Sequence, residues 1–366
     1  MTAGYAAAEV SLSGDAVMSV IGGDGYATTA NGANDDLRFQ SNVDVHFTMS
    51  GETDSGLSFG TKIDLDEAAA TSDANEAIWL KGAFGTITMG DTDSAIDFVN
   101  AETQQGAILG DDFTTHAATL ENFFDEATDN TIARYDYSVG ALTLSGSVEI
   151  DANKTAATAH DVRTGTALTV TDVEAALSND PSFSVGMKYN MPISGGSLTL
   201  GAGYQNTPDR ISYVATSART YVSGANDTTV DTYAAADTSV VGVSAALKLD
   251  SGLGLSATYA DISNYSANNA VLTANDAGTA SATTTGSLND ATQWGIGADY
   301  TVGDLTVGAS YAEIDSDNNA EDQKSYALGA SYSLGTGARV FGAMKSEEVG
   351  TAAATEKYQL GLAFAF

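Results

Sequence analysis

Glu356-Lys-Tyr-Gln-Leu-Gly-Leu-Ala-Phe-Ala-Phe366 alternates bulky apolar side chains with small or polar ones up to its last residue. Successive side chains of a β-strand point to opposite faces. Tyr358, Leu360, Leu362, Phe364 and Phe366 therefore share one face, and Lys357, Gln359, Gly361, Ala363 and Ala365 the other. The first face suits hydrocarbon and the second suits water. A strand of a soluble sandwich has the same period, so the choice between the two readings rests on the rest of the chain.

The alternation recurs upstream. In Leu37–Ser50, Leu37, Phe39, Val43, Val45, Phe47 and Met49 oppose Arg38, Gln40, Asn42, Asp44, His46 and Thr48. A face carrying charges and a histidine cannot lie between two apolar layers. Short glycine-bearing turns near Glu52–Gly56, Gly82–Gly85, Val139–Ala141, Pro192–Gly196, Asp250–Leu253, Val302–Asp304 and Gly335–Gly337 make seven tight returns. Between them lie eight long polar connections, at about 23–35, 67–75, 92–130, 151–181, 206–236, 263–290, 316–323 and 348–355. Pro181, Pro192 and Pro208 are read as loop or turn residues, since proline cannot donate to a strand ladder.

Seven turns and eight loops join sixteen strands, and the turns all fall at one end. Outer-membrane barrels have this asymmetry of short periplasmic turns and long extracellular loops, and an even strand number. Lipid-facing aromatics should then form two girdles. Phe47, Phe59, Tyr137, Tyr189, Tyr300, Tyr332 and Phe366 fall at the short-turn ends, and Phe39, Phe183, Tyr204, Tyr259, Trp294, Tyr311, Tyr326 and Tyr358 at the long-loop ends. The expected fold is all-β: a 16-stranded antiparallel transmembrane barrel over residues 9–366. Residues 1–8, ending in Ala6-Ala7-Ala8, have the form of a residual signal-peptide tail, which puts the mature start at Glu9; a short native tail is the alternative.

Composition narrows the function. With 48 acidic and 14 basic residues the net charge is −34, which opposes nucleic-acid binding. Mean hydropathy is −0.07 and no apolar run approaches the ~20 residues of a spanning helix, which a β-barrel does not need. The absence of cysteine removes disulfides, thiolate metal sites and cysteine nucleophiles. His46, His116 and His160 stand outside any nucleophile–base motif, so an outer-membrane hydrolase is the weaker reading and catalytic residues are expected to be none. Asp315–Glu321 opens like a calcium loop but has Ala320 where the turn needs Gly. No cofactor and no dedicated metal site are expected, only weak Ca²⁺ or Mg²⁺ binding by loop carboxylates.

The opening Ala8–Ala16, the block Phe47–Leu57, the block Lys81–Asp91 and the terminal Phe366 resemble the general porins of Gram-negative bacteria, particularly those of photosynthetic and marine alphaproteobacteria of the Rhodobacter type. The resemblance implies a homotrimer in the outer membrane, set in lipid and lipopolysaccharide, with the terminal Phe366 read by the assembly machinery. It also implies a third long loop folded inward to narrow the pore, with acidic residues facing basic ones on the wall.

The segment 92–130 sits where that loop belongs. It carries Asp93, Asp97, Glu102, Asp111, Asp112, Glu121, Asp125, Glu126 and Asp129 with no Lys or Arg, while Ile96, Phe98, Val99, Ile108 and Leu109 suit packing on a wall. Alternation turns Arg38, Lys62, Arg134, Lys188, Lys248, Arg339, Lys345 and Lys357 inward. Arg38, Lys62, Arg134 and Arg339 are taken as the basic wall, with Arg134 at a family constriction position. Asn42 and Asp44 stand where relatives often carry arginine, which tilts the pore toward negative. The expected function is passive diffusion of small hydrophilic solutes and ions with cation preference. The alternative is an acidic β-rich surface adhesin or S-layer-like protein without channel activity. Small lipid-facing residues point to the first and last strands as the trimer seam.

Overall fold

The computed structural model describes residues 9–24, 37–66, 75–101, 103, 131–150, 160–164, 167–171, 180–220, 228–268 and 281–366. Residues 1–8, read as a leader tail, lie outside them. The wall begins with β1 (Glu9–Gly23), β2 (Arg38–Glu52), β3 (Ser58–Asp66), β4 (Asn75–Gly82), β5 (Gly85–Gly90), β6 (Ile132–Val139) and β7 (Leu142–Glu149). A separate hairpin, β8 (His160–Thr164) with β9 (Ala167–Thr171), follows. The wall continues through β10 (Ser182–Ile193), β11 (Gly196–Thr220), β12 (Thr228–Leu249) and β13 (Leu253–Asn268). After β14 (Ser281–Thr285), it ends with β15 (Ser287–Val302), β16 (Leu305–Ser316), β17 (Gln323–Gly335), β18 (Ala338–Val349) and β19 (Thr355–Ala365).

Neighbouring wall strands pair antiparallel, and β1 pairs with both β2 and β19, so the sheet closes. Leaving out β14, which adds to the far end of β11, the seventeen-stranded sheet is a wall of sixteen strands. At the seam Asp15 faces Ala365 and Ser19 faces Gly361, and the Phe366 N–H donates to Gly14 O at 2.8 Å. Gly14 is required there: a Cβ would lie 2.5 Å from Asp44 O. The tight turns use left-handed glycines such as Gly140 (φ 61°) and Gly303 (φ 59°). Nothing lies within 4 Å of a Cβ built on either, so backbone conformation alone calls for glycine.

The register carries the alternation into two faces. Val20, Phe39 and Leu360 align side by side on the outside, and Ser19, Gln40 and Gly361 on the inside. Leu360 is 64% exposed and Phe39 91%, whereas inward Ser19 and Gln359 are buried and hydrogen-bonded to each other at 2.9 Å. An exterior of exposed aliphatic side chains around a closed ring of paired backbone is what lipid demands. The long-loop girdle is a band of real contacts on one side: Phe183 stacks obliquely on Tyr204 at 5.9 Å and Trp294 on Tyr311 at 5.2 Å.

The wall is uneven. A spanning strand needs about 9–11 residues, but β4, β5, β6 and β7 have 8, 6, 8 and 8. At about 3.3 Å per residue and ~45° tilt, β5 rises only about 14 Å of a ~25 Å apolar band. The aromatic band at the long-loop end lapses over the same sector, where Leu65, Ile78 and Met89 face out.

Two readings are corrected by the pairing. The connection read at 206–236 is mostly strand: β11 runs to Thr220 and β12 starts at Thr228, paired throughout with register shifts at Thr207/Ile211 and Val214/Thr216. A ribbon standing clear of lipid needs no apolar face, so the period-two signal stops while backbone pairing continues. Pro208 accordingly sits in the first irregularity of β11, and Pro192 pairs with Ser197 near the end of β10. Both positions spare the ladder a missing donor.

Outward Leu200 and inward Thr199 test the facing directly. Leu200→Arg should lower stability by about 2–4 kcal/mol, read as a shift in urea unfolding from lipid vesicles. Thr199→Arg, which forfeits only an exposed 2.9 Å hydrogen bond to Asn190, should cost under about 1 kcal/mol. Equal losses would overturn the assignment of faces.

Candidate functional site: the inward loop and the pore wall

After β5 the chain turns into the barrel. Asp91–Asp93 lead to Ser94, whose Oγ accepts from Asp97 N at 3.4 Å and caps α1 (Ala95–Val99). Ala95, Ile96 and Val99 are fully buried against the wall, and Asp97 and Phe98 lie on the less buried side. α1 packs on β7, β10 and β11.

The N–H groups that open a helix have no intrahelical acceptor. Here wall hydroxyls supply them: Ala95 N donates to Ser147 Oγ (2.9 Å) and Ile96 N to Ser184 Oγ (3.2 Å). Further along, Ala101 N donates to Ser244 Oγ at 2.8 Å. Where the segment crosses the wall, the inward residues are glycine. A Cβ on Gly186 would come within 2.5 Å of Val99 Cγ2, on Gly203 within 2.6 Å of Ile96 Cγ1, and on Gly201 within 2.3 Å of the Val99 carbonyl. Gly297 would likewise meet Thr103 O at 2.8 Å. These glycines form a track across β10, β11 and β15.

Ile96 also joins Val240, Ala260, Ile262, Ala291 and Ile314, inward residues of β12, β13, β15 and β16 that form one buried apolar cluster. The inner face was expected to meet water; on these strands its long-loop half is instead a dry seat for the inward segment. Ile96 and Val99, both fully buried, each contribute about 1.5–3 kcal/mol, together more than one hydrogen bond to a charged group at about 1.5–3. Apolar docking therefore dominates what holds α1.

The charges are arranged around that seat. Arg134, on β6 and 7% exposed, donates from Nη1 to Asp93 O at 2.6 Å and from Nε to Asp136 Oδ2 at 3.1 Å. The Asp93 carboxylate is farther, at 3.6 Å, and half exposed. The Arg134 guanidinium and Lys188 Nζ both stand over the Phe98 ring, at 4.1 and 4.4 Å. Arg134 thus anchors the root of the loop on its own side of the barrel.

Of the anticipated site residues, Asp93, Asp97 and Arg134 come together. Lys62 pairs with Asp64 at 3.2 Å on β3, and Arg38 and Arg339 occupy inward positions of β2 and β18, away from the main seat of α1 on β7, β10 and β11. Glu102, Asp111, Asp112, Glu121 and Asp125 lie outside the described residues, as does His116. The sequence reading missed three things. Lys188, read as inward, and Phe98, read as packing on the wall, meet in the anchor, and the glycine–serine track was legible only as alternate inward positions such as Gly201-Ala-Gly203 and Gly295-Ile-Gly297. His46, read as a surface polar residue, lies 3.5 Å from Asp15 and 2.7 Å from Asp64 in a charged row on the inner wall.

The profile of the Gram-negative porins matches residues 1–352. A porin of Rhodobacter capsulatus is 28% identical over 354 residues, covering 93% of this chain and 95% of its own. A solved porin refined at 1.8 Å resolution superposes with a TM-score of 0.61 at 25% identity, covering 98% of this chain and 100% of the other. A triple mutant of Rhodopseudomonas blastica porin shares the fold, with a TM-score of 0.55 at 20% identity and coverage of 98% and 100%. A closed sixteen-strand wall with an apolar exterior, a helix laid inside it and a family match along nearly its whole length place this chain among the Gram-negative porins, multi-pass β-barrel proteins of the outer membrane.

Proposed function

We propose that this porin is a passive, cation-preferring channel for small hydrophilic solutes and ions. The observation that carries the preference is the inward segment: Asp93 and Asp97 sit on it beside the wall, and 92–130 as a whole carries nine carboxylates and no Lys or Arg. Carboxylates along a path of molecular width stay within a Debye length of about 8 Å from passing ions, so they enrich cations and exclude anions. Of the two bases at the anchor, Arg134 is engaged by Asp93 O and Asp136, and Lys188 stands over the Phe98 ring as one cation against the segment's nine carboxylates. No cofactor enters this reading, and divalent cations would only neutralise loop carboxylates weakly.

A homotrimer fits the uneven wall. The sector from β4 to β7 is too low to cover the apolar band alone, and a neighbouring copy would complete it. This moves the interface beyond the first and last strands suggested by small side chains.

The reversal potential under a tenfold KCl gradient tests selectivity. Asp97→Asn, and Asp111→Asn with Asp112→Asn, should each shift it toward zero. Arg134→Ala should shift it the other way, since it releases the carboxylates of Asp93 and Asp136. Unchanged potentials in all three would sink the reading.

The seating of the loop is testable at Gly201. Gly201→Val puts a side chain where the Val99 carbonyl lies, so α1 must lift and single-channel conductance should change by a factor of about two, with trimer yield retained. Gly342→Ala on β18, whose Cβ would meet only Leu360 Cδ1 at 3.6 Å and Gln359 O at 3.7 Å, is the control and should leave conductance unaltered.

Phe366→Ala, which keeps the backbone bond to Gly14 O, should cut the yield of heat-modifiable trimer severalfold. Its side chain is 81% exposed on the exterior, so lost packing, at most about 1.5–3 kcal/mol if it were fully buried, cannot account for such a defect; recognition during assembly can. Normal trimer yield would exclude that role.

A further inference from the structure

The inner wall beside the seam is hollowed at its short-turn end. A concavity of about 590 Å³ is bounded by Asp15 of β1, Asp304 in the turn before β16, Thr306 of β16, Ser331 and Ser333 of β17, and Arg339 of β18. The hollow lies at the short-turn end, whereas α1 rests on β7, β10 and β11 and meets β16 only through Ile314 near its long-loop end, so the hollow is separate from the seat of the inward loop. Its volume falls in the range of pockets that hold small molecules.

The distribution of charge in it is unusual for this chain. Arg134 spends its donors on Asp93 O and Asp136, whereas the Arg339 guanidinium makes no hydrogen bond or salt bridge among the described residues. A guanidinium offers a planar fork of donors that matches a carboxylate in two parallel bonds. Three hydroxyls, from Thr306, Ser331 and Ser333, line the same hollow, and Asp15 and Asp304 add two carboxylates at its edge. Asp15 also lies 3.5 Å from His46 Nε2.

We infer that this hollow is a weak subsite for small zwitterions, amino acids or short peptides, on the periplasmic side of the channel. The solute's carboxylate lies on Arg339, its ammonium faces Asp304 or Asp15, and its amide or side-chain polar groups meet the hydroxyls. A simple anion would gain Arg339 but face two carboxylates, and a simple cation would gain the carboxylates but face Arg339. A molecule carrying both charges satisfies both sets. Conduction requires that a bound solute also leave, so binding belongs in the millimolar range. The inference rests on the open-channel reading and adds a solute class to it.

The test is single-channel recording of the purified porin in planar bilayers, with glycylglycine titrated through the millimolar range. Acetate, methylammonium and a neutral sugar of similar size serve as controls. The expected result is a saturable fall in conductance with glycylglycine alone. Its apparent affinity should weaken about tenfold in Arg339→Gln and about threefold in Asp304→Asn, which keeps the backbone carbonyl that accepts from Ser333 N. A conducting wild type with no saturable response overturns the subsite. So does equal block by acetate, or an unchanged affinity in both variants. A wild type that does not conduct at all would instead defeat the channel reading itself.

Discussion

Within lipid no water is available to backbone amides, so every N–H and C=O of a spanning segment must find a partner in the protein. For strands this leaves only a closed ring. The closure falls on β1, which gives one edge to β2 and the other to β19, with the Phe366 N–H on Gly14 O at the tip. The apolar exterior, the alternation and the confinement of prolines to irregular or terminal positions follow from that requirement.

Closure creates a lumen, and α1 is held inside it by a second kind of pairing. Its backbone donors go to wall serines, its aliphatic side chains go onto a dry patch of the inner face, and its path is cleared by glycines. The carboxylates of Asp93 and Asp97 need no strong ionic contact to stay near the lumen, because the scaffold beneath them is held by apolar burial.

Periodicity two is forced wherever one face meets lipid and the other water, and there the sequence was readable: sixteen strands and their faces. The pattern failed where that contrast of media ends. Ile211–Thr220 is paired strand outside the lipid and looked like loop, and Val240, Ile262 and Ile314 point inward yet are apolar because α1 lies near them. Arg134 was recognisable as an inward arginine, but its partner, the Asp93 carbonyl, depends on where a loop turns. Alternate glycines at 201 and 203 and at 295 and 297 are a signal of close approach, though only register shows what approaches.

The seam has a consequence for how such a chain can come to be. Gln359 and Ser19, whose side chains are hydrogen-bonded across it, are 340 residues apart. Contacts of such sequence separation are the slowest to form, and until they form β1 carries an open edge, the kind of template on which chains aggregate. In lipid that edge has no other partner, so the wall is satisfied only once β19 has joined β1, and the two ends of the chain hold or fail together.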